Sequence, residues 1–288
     1  MPLTLLFDLD DTLRADWPGF GVGHEPYDLV TAQGSSHFAH RSTAYYAEIL
    51  AKMGWPEAGI VMVGNNSRGR LAAEKLGLPT FFIAPNGNAP ELAGIPPSPE
   101  GSASLRRSSG LLGDVIPWVQ SSPPENLLPN YRSPEAIIAI LKATIAALDA
   151  WLPELTEAQW EARTPGEEWS IRDAVCHLRD VELLVNRPRF EQFEFEANPF
   201  MSAADTDSWA KDGAYEGISG LWAFQELIAA RRDSLAWLAR LDEGQWRLPA
   251  RHAIFGPTDF LEIMSIMAGH DQLHVRQIRR SLHIQPES

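Results

Sequence analysis

Three histidines carry the spacing of a reactive centre. His270 and His274 stand four apart in GHDQLHVRQI, and His177 lies in the earlier stretch SIRDAVCHLRDVELL. Residues at i and i+4 project from one face of a helix, one turn apart. Two imidazoles so placed, met by a third from a facing helix, make an open three-nitrogen site suited to zinc, nickel or a similar divalent transition metal. The alternative is that each histidine is a hydrogen-bonded core residue. Asp180 follows His177 by three residues and Asp271 adjoins His270. A carboxylate that accepts the second imidazole N–H fixes the tautomer and makes the ring a stronger ligand, or these two are ordinary surface acids. Cys176 adjoins His177 but points about 100° away around the helix, so it reads as packed rather than nucleophilic. His252 and His283 fall outside the cluster.

A second constellation stands at the start of the chain. LLFDLDDTL is an apolar strand ending in D-x-D-x-T. Asp8 and Asp10 can share Mg²⁺ beyond the strand's end, one as nucleophile and the other as general acid, with Thr12 closing the turn.

The elements that position these residues differ between the two ends of the chain. Before residue 120, the apolar runs LTLLF, YDLV, GIVMVG and PTFFI alternate with helical patterns such as TAYYAEILAKMG. This predicts a parallel α/β sheet buried on both faces, a Rossmann-like three-layer domain over 1–120. The Pro-rich segment SSPPENLLPN, 121–130, reads as a linker. Beyond it, AIIAILKATIAALDAWLPEL, IRDAVCHLRDVELLVN, LWAFQELIAARRDSLAWLARL and DFLEIMSIMAGHDQLHVRQIRRSL each carry a long apolar stripe. Four such helices without a strand signal predict an up-down four-helix bundle over 131–288. Ser170 with Asp173 forms a capping box, Thr258 caps the last helix, and Pro188 ends the second. WLPELTEAQW (151–160) and WLARLDEGQW (237–246) match at Trp, Leu, Leu, Glu, Gln and Trp at a constant offset of 86. They suggest two related hairpins, each followed by a histidine-bearing helix. The tryptophans read as hairpin and core packing.

The second half resembles the DinB/YfiT-like family of metalloenzymes, on EEWSIRDAVCHLRDVE and GHDQLHVRQI. That resemblance implies a four-helix bundle, the metal triad His177, His270 and His274, and a metal-dependent hydrolase or thiol-dependent transferase. It also implies a low-molecular-weight thiol of the bacillithiol or mycothiol type as cosubstrate, and a homodimer. The first half resembles the haloacid dehalogenase-like (HAD) superfamily. Asp8 matches its nucleophile, Asp10 its acid/base and Thr12 its structural threonine, while Thr31 in YDLVTAQG would bind phosphate. Where that family carries a lysine, this chain offers His40 or Arg41. Where it carries acids for Mg²⁺, VGNNSRGR presents Asn65 and Asn66. No room remains between Thr12 and Thr31 for a cap domain. The HAD-like half is therefore expected as either a Mg²⁺-dependent phosphatase or an impaired binding module, and a wholly non-catalytic, metal-stabilised binding or oligomerisation protein is the further alternative.

Composition bounds the partners. The chain of 288 residues is 44% hydrophobic and 22% charged, with a net charge of −14. Nucleic acid and anionic membranes call for clustered Lys and Arg, which are lacking, so a small-molecule substrate is expected. One cysteine forbids an intrachain disulfide and suits a reducing cytoplasm. The N-terminus lacks the basic start of a signal peptide, and no run approaches the roughly 20 apolar residues of a membrane span.

Overall fold

The structure, a computed structural model, describes residues 3–7, 36–84, 107–166, 168–206, 208–210 and 214–283. The chain divides into two compact units, Met1–Ala139 and Ile140–Ser288. Among the described residues, no helix is long and apolar enough to cross a membrane.

The first unit is built on four parallel strands in the order β1 (Leu3–Phe7), β2 (Gly59–Gly64), β3 (Thr80–Ile83) and β4 (Arg107–Gly110). Leu5 pairs with Val61 and Phe7 with Val63, and β2 is buried along its whole length. The continuous apolar run GIVMVG is what a strand covered on both faces requires. Helix α1 (Thr43–Lys52) starts where Ser42 Oγ accepts from Tyr45 N at 3.1 Å. Helix α2 (Ser67–Lys75) starts where Asn66 Oδ1 accepts from Arg68 N and Gly69 N at 3.0 and 3.1 Å. Short polar side chains thus satisfy the helix-end amides that have no partner within the helix. Glu74 of α2 is buried; Arg70 and Thr80 donate to it, and Arg107 forms an ion pair with it.

The segment 121–130 does not behave as a spacer. It follows the short helix α3 (Val115–Ser121), and Leu127 is buried with Val61, Val63, Phe81 and Ile83 while its carbonyl accepts from Ile60 N at 3.0 Å. Asn130 N donates to the Gly77 carbonyl at 2.8 Å, and Gly77 N donates to the Glu74 carbonyl at 2.9 Å. Gly77 has φ +91°, and a Cβ there would sit 1.8 Å from the Asn130 oxygen, so only glycine fits. The prolines suggested a linker, but the leucine between them binds the segment to the sheet. The boundary between the units lies later, inside helix α4 (Pro134–Trp151).

The second unit is a bundle of four long helices. Its other members are α5 (Ile171–Val181), α7 (Gly220–Leu238) and α8 (Phe260–His283). Leu148 of α4, Val175 and Leu178 of α5, Phe224 and Leu227 of α7, and Ile278 of α8 share one core. Burying a side chain of this size is worth about 1.5–3 kcal/mol. Pro188 does not end the second helix. A π-helical segment, Glu182–Asn186, follows α5, and Pro188 lies in the first turn of the continuing helix α6 (Arg187–Phe195). Proline is tolerated in a first helical turn, where its missing N–H is not needed.

The repeated segments fold alike. Thr156 and Gln159 cap one another reciprocally, and Asp242 and Gln245 do so 86 residues later. Trp160 and Trp246 are both buried. The second unit also carries a small sheet that its sequence pattern did not predict. Its strands are β5 (Phe200–Met201), β6 (Pro249–His252) and β7 (Gly256–Asp259). Thr258 lies within β7, and the cap of α8 is instead Asp259, whose Oδ1 accepts from Glu262 N at 2.8 Å.

Candidate metal centre

His177 is on α5, and His270 and His274 are on α8. The capping box at Ser170 fixes the start of α5, since Ser170 Oγ accepts from Asp173 N at 3.2 Å and Ser170 N donates back to Asp173 at 2.9 Å. Helical spacing then places His177 two turns into the bundle, facing α8. His177 Nε2 lies 3.0 Å from His270 Nε2, which lies 3.2 Å from His274 Nε2. The ligating atoms of all three fall within 4.8 Å of one another. His177 is 0% exposed and His274 4% exposed, while His270 is half-buried.

Hydrogen bonding among the rings cannot satisfy this triangle. A ring nitrogen offers one lone pair or one N–H. His270 Nε2 can therefore pair with only one of its two neighbours. A cation in the centre would engage all three lone pairs. Ligands at about 2.0–2.1 Å from a tetrahedral zinc are spaced about 3.3–3.4 Å apart, close to the two separations seen. Burial, and then the neighbouring His274 and His270, pushes the His177 pKa down to about 3. Burial and the Arg231 charge push that of His270 down to about 4, against an opposing pull from Glu182. Both rings are neutral, the form that ligates a metal.

The partners of the rings differ from those expected. Asp180 accepts from the Arg179 guanidinium at 2.7 Å. It does not orient His177, whose buried Nδ1 has no hydrogen-bond partner among the described residues. Asp271 is buried against Arg231 rather than bonded to an imidazole. Both acids are drawn to guanidinium groups, which offer charge-assisted, forked donors that a neutral ring lacks. The residue that does meet an imidazole is Gln277, with Oε1 at 2.9 Å from His274 Nδ1. A carbonyl oxygen accepts, so Nδ1 carries the proton and Nε2 presents its lone pair to the cluster. The i+3 spacing of Gln277 from His274 was the available signal.

Two tryptophans also border the site. Trp169 lies parallel to His274, with centroids 5.5 Å apart and planes at 4°, and 4.6 Å from His177. Trp209 is 6.4 Å from His177. They do not merely close hairpins; they form an aromatic wall against the rings. Cys176 is buried in the core, and burial pushes its thiol up to about 11.

Residues 140–278 match the DinB superfamily. That stretch is DinB-like. YuaE of Bacillus subtilis (strain 168), an uncharacterized protein, is 24% identical over 147 residues, which are 46% of this chain and 91% of YuaE. YfiT from Bacillus subtilis is described as a probable metal-dependent hydrolase with an unusual four-helix bundle topology. Its solved structure is 19% identical and covers 55% of this chain and 89% of its own, with a TM-score of 0.46. Among the described residues, the donor atoms of His177, His270 and His274 are grouped so that they could hold a metal ion.

In the first unit, Asp8, Asp10, Thr12 and Thr31 lie outside the described residues. Asn65 follows β2 at the carboxyl end of the parallel sheet, half-buried, and Asn66 is occupied in capping α2.

Proposed function

We propose that the helical unit is a metal-dependent enzyme of the DinB type, in which His177, His270 and His274 hold one divalent transition metal, zinc or nickel. The reading is carried by the three imidazole nitrogens, whose 3.0 and 3.2 Å separations leave an unsatisfied centre. When bound, such an ion supplies Lewis-acid polarisation and lowers the pKa of a coordinated water or thiol. The chain's own residues do the rest. Gln277 holds His274 in its ligating tautomer, and Trp169 with Trp209 shields the rings from solvent. Cys176 is buried and fully protonated at neutral pH, so the nucleophile comes from outside the chain. Water makes the reaction a hydrolysis, and a low-molecular-weight thiol makes it a transfer. The substrate is a small molecule, and neither nucleic acid nor membrane is a partner. The protein is a cytoplasmic homodimer.

The test is turnover of an ester and amide panel, and of an electrophile with added thiol, by metal-loaded protein. Activity should appear in one of the two assays and vanish in His177→Ala. Turnover that survives both this change and chelation refutes the reading.

For the first unit we propose a HAD-type module with degenerate metal ligands, favoured by the parallel sheet that ends near Asn65. Residual Mg²⁺-dependent hydrolysis of a generic phosphate ester should be abolished by Asp8→Asn. Hydrolysis that persists in that variant removes the phosphatase reading.

A further inference from the structure

A buried cluster of charges lies beside the histidines and was not apparent from the sequence. Arg231 of α7 is 1% exposed, as is Glu182 in the π-helical segment that follows the His177 helix. Asp271, the neighbour of His270, is equally enclosed. The Arg231 guanidinium donates to Glu182 Oε2 at 3.1 Å, to Asp271 Oδ1 at 3.1 Å and Oδ2 at 2.5 Å, and to the Leu141 carbonyl of α4 at 3.2 Å. One side chain thereby joins α4, α7, α8 and the π-helical segment that continues α5. Asn186 donates to the same Glu182 oxygen at 3.3 Å, yet Glu182 Oε1 has no hydrogen-bond partner among the described residues.

The balance of charge is the unusual part. One guanidinium faces two carboxylates, which leaves a net charge of −1 in the protein interior. An uncompensated buried charge is strongly unfavourable, and a bundle needing only a tie between helices would be served by one acid. The adjacent three-imidazole site is neutral and would place a divalent ion in the same low-dielectric interior, where a bound cation is the largest local charge. The excess negative charge is of the right sign to offset it. Glu182 acts electrostatically on the His270 ring itself.

We infer that Glu182 and Asp271, held in place by Arg231, are the counter-charge of the metal site: their excess carboxylate offsets part of the dication's charge and raises its affinity. This rests on the triad binding a metal and adds the device that makes a neutral ligand set hold a dication in a buried place. Arg231 is the positioning residue. It fixes Glu182 and Asp271, and through them the spacing between the helices that carry His177 and His270.

The role makes a prediction of opposite sign for the two states of the protein. In metal-free protein the unpaired carboxylate is a cost, so Glu182→Gln, which keeps shape and an acceptor for Arg231, should leave its Tm unchanged or raised. In metal-loaded protein the same change should weaken Zn²⁺ binding by about 10- to 100-fold, as loss of groups supporting a metal site does. The test is Zn²⁺ affinity by chelator competition, the Co²⁺ absorption spectrum, and Tm with and without metal. Wild-type protein and His270→Ala run alongside. Weaker binding with an unaltered Co²⁺ spectrum and an undiminished metal-free Tm supports the assignment. Affinity within about threefold of wild type overturns it, as does a metal-free Tm that falls together with a changed Co²⁺ spectrum, since that is a structural tie alone. Asp271→Asn removes the same charge and must weaken binding too; if only one of the two variants accumulates, that variant decides. Should wild-type protein bind no more Zn²⁺ than His270→Ala, the triad itself is refuted, and this inference with it.

Discussion

Replacing Gln277 with Leu removes the group that selects the tautomer of His274. The contact is a 2.9 Å hydrogen bond from the Nδ1 of a ring that is 4% exposed. Taking away one partner of a buried donor costs about 1–3 kcal/mol. The metal-bound state bears that cost in full, because ligation through Nε2 obliges Nδ1 to keep the proton. The free protein can escape part of it by moving the proton to Nε2, toward His270. The difference falls on binding, and at 1.4 kcal/mol per decade the full cost would correspond to roughly 5- to 140-fold, so Zn²⁺ affinity should weaken by several-fold up to that limit. Gln277→Glu places a carboxylate against the same N–H, makes the ring more basic, and should bind at least as tightly as wild type. Chelator competition at fixed pH measures both. A Leu variant within twofold of wild type, or a Glu variant loosened as much as the Leu variant, refutes the reasoning.

Gly220→Ala should destabilise the helical unit, although alanine is the better helix former by about 1 kcal/mol. A Cβ there would stand 2.3 Å from the Trp160 ring, and overpacking of this kind costs about 1–3 kcal/mol. Thermal denaturation should show a Tm lower by several degrees, and an unchanged or raised Tm would contradict the packing described. In the first unit, burial alone would raise the Glu48 pKa, but His37, Lys52 and Ser36 outweigh it and hold the carboxyl below its ordinary 4.5. The stability this contributes is full above pH 4.5 and is lost as pH falls through the folded-state value. Urea titrations of wild type and Glu48→Gln should therefore differ most near neutrality and converge in acid; a gap that widens in acid reverses the sign and defeats the assignment.

The histidine site was largely legible because helical periodicity fixes which residues share a face. His270 and His274 needed only the i, i+4 rule, and the amphipathic pattern around His177 set it toward a facing helix. What escaped the sequence depended on side-chain direction across helices. IAARRDSL reads as a charged helix surface, yet Arg231 of that run is buried and its neighbour Arg232 is exposed. Asp180 and Asp271 were expected to accept from imidazoles and instead meet guanidinium groups, because competition between imidazole and guanidinium for a carboxylate is settled only in three dimensions. The β6–β7 hairpin was hidden because PARHAIFGPTD holds two prolines and little alternation. The supposed linker misled for the converse reason, its prolines concealing one buried leucine.

The account stands most directly on metal content. Protein purified without a metal-affinity tag should carry close to one zinc or nickel per chain by elemental analysis, and His177→Ala, folded by circular dichroism, should carry almost none. Equal metal in the two proteins, or none in wild type even after reconstitution, would contradict a centre built from these three rings.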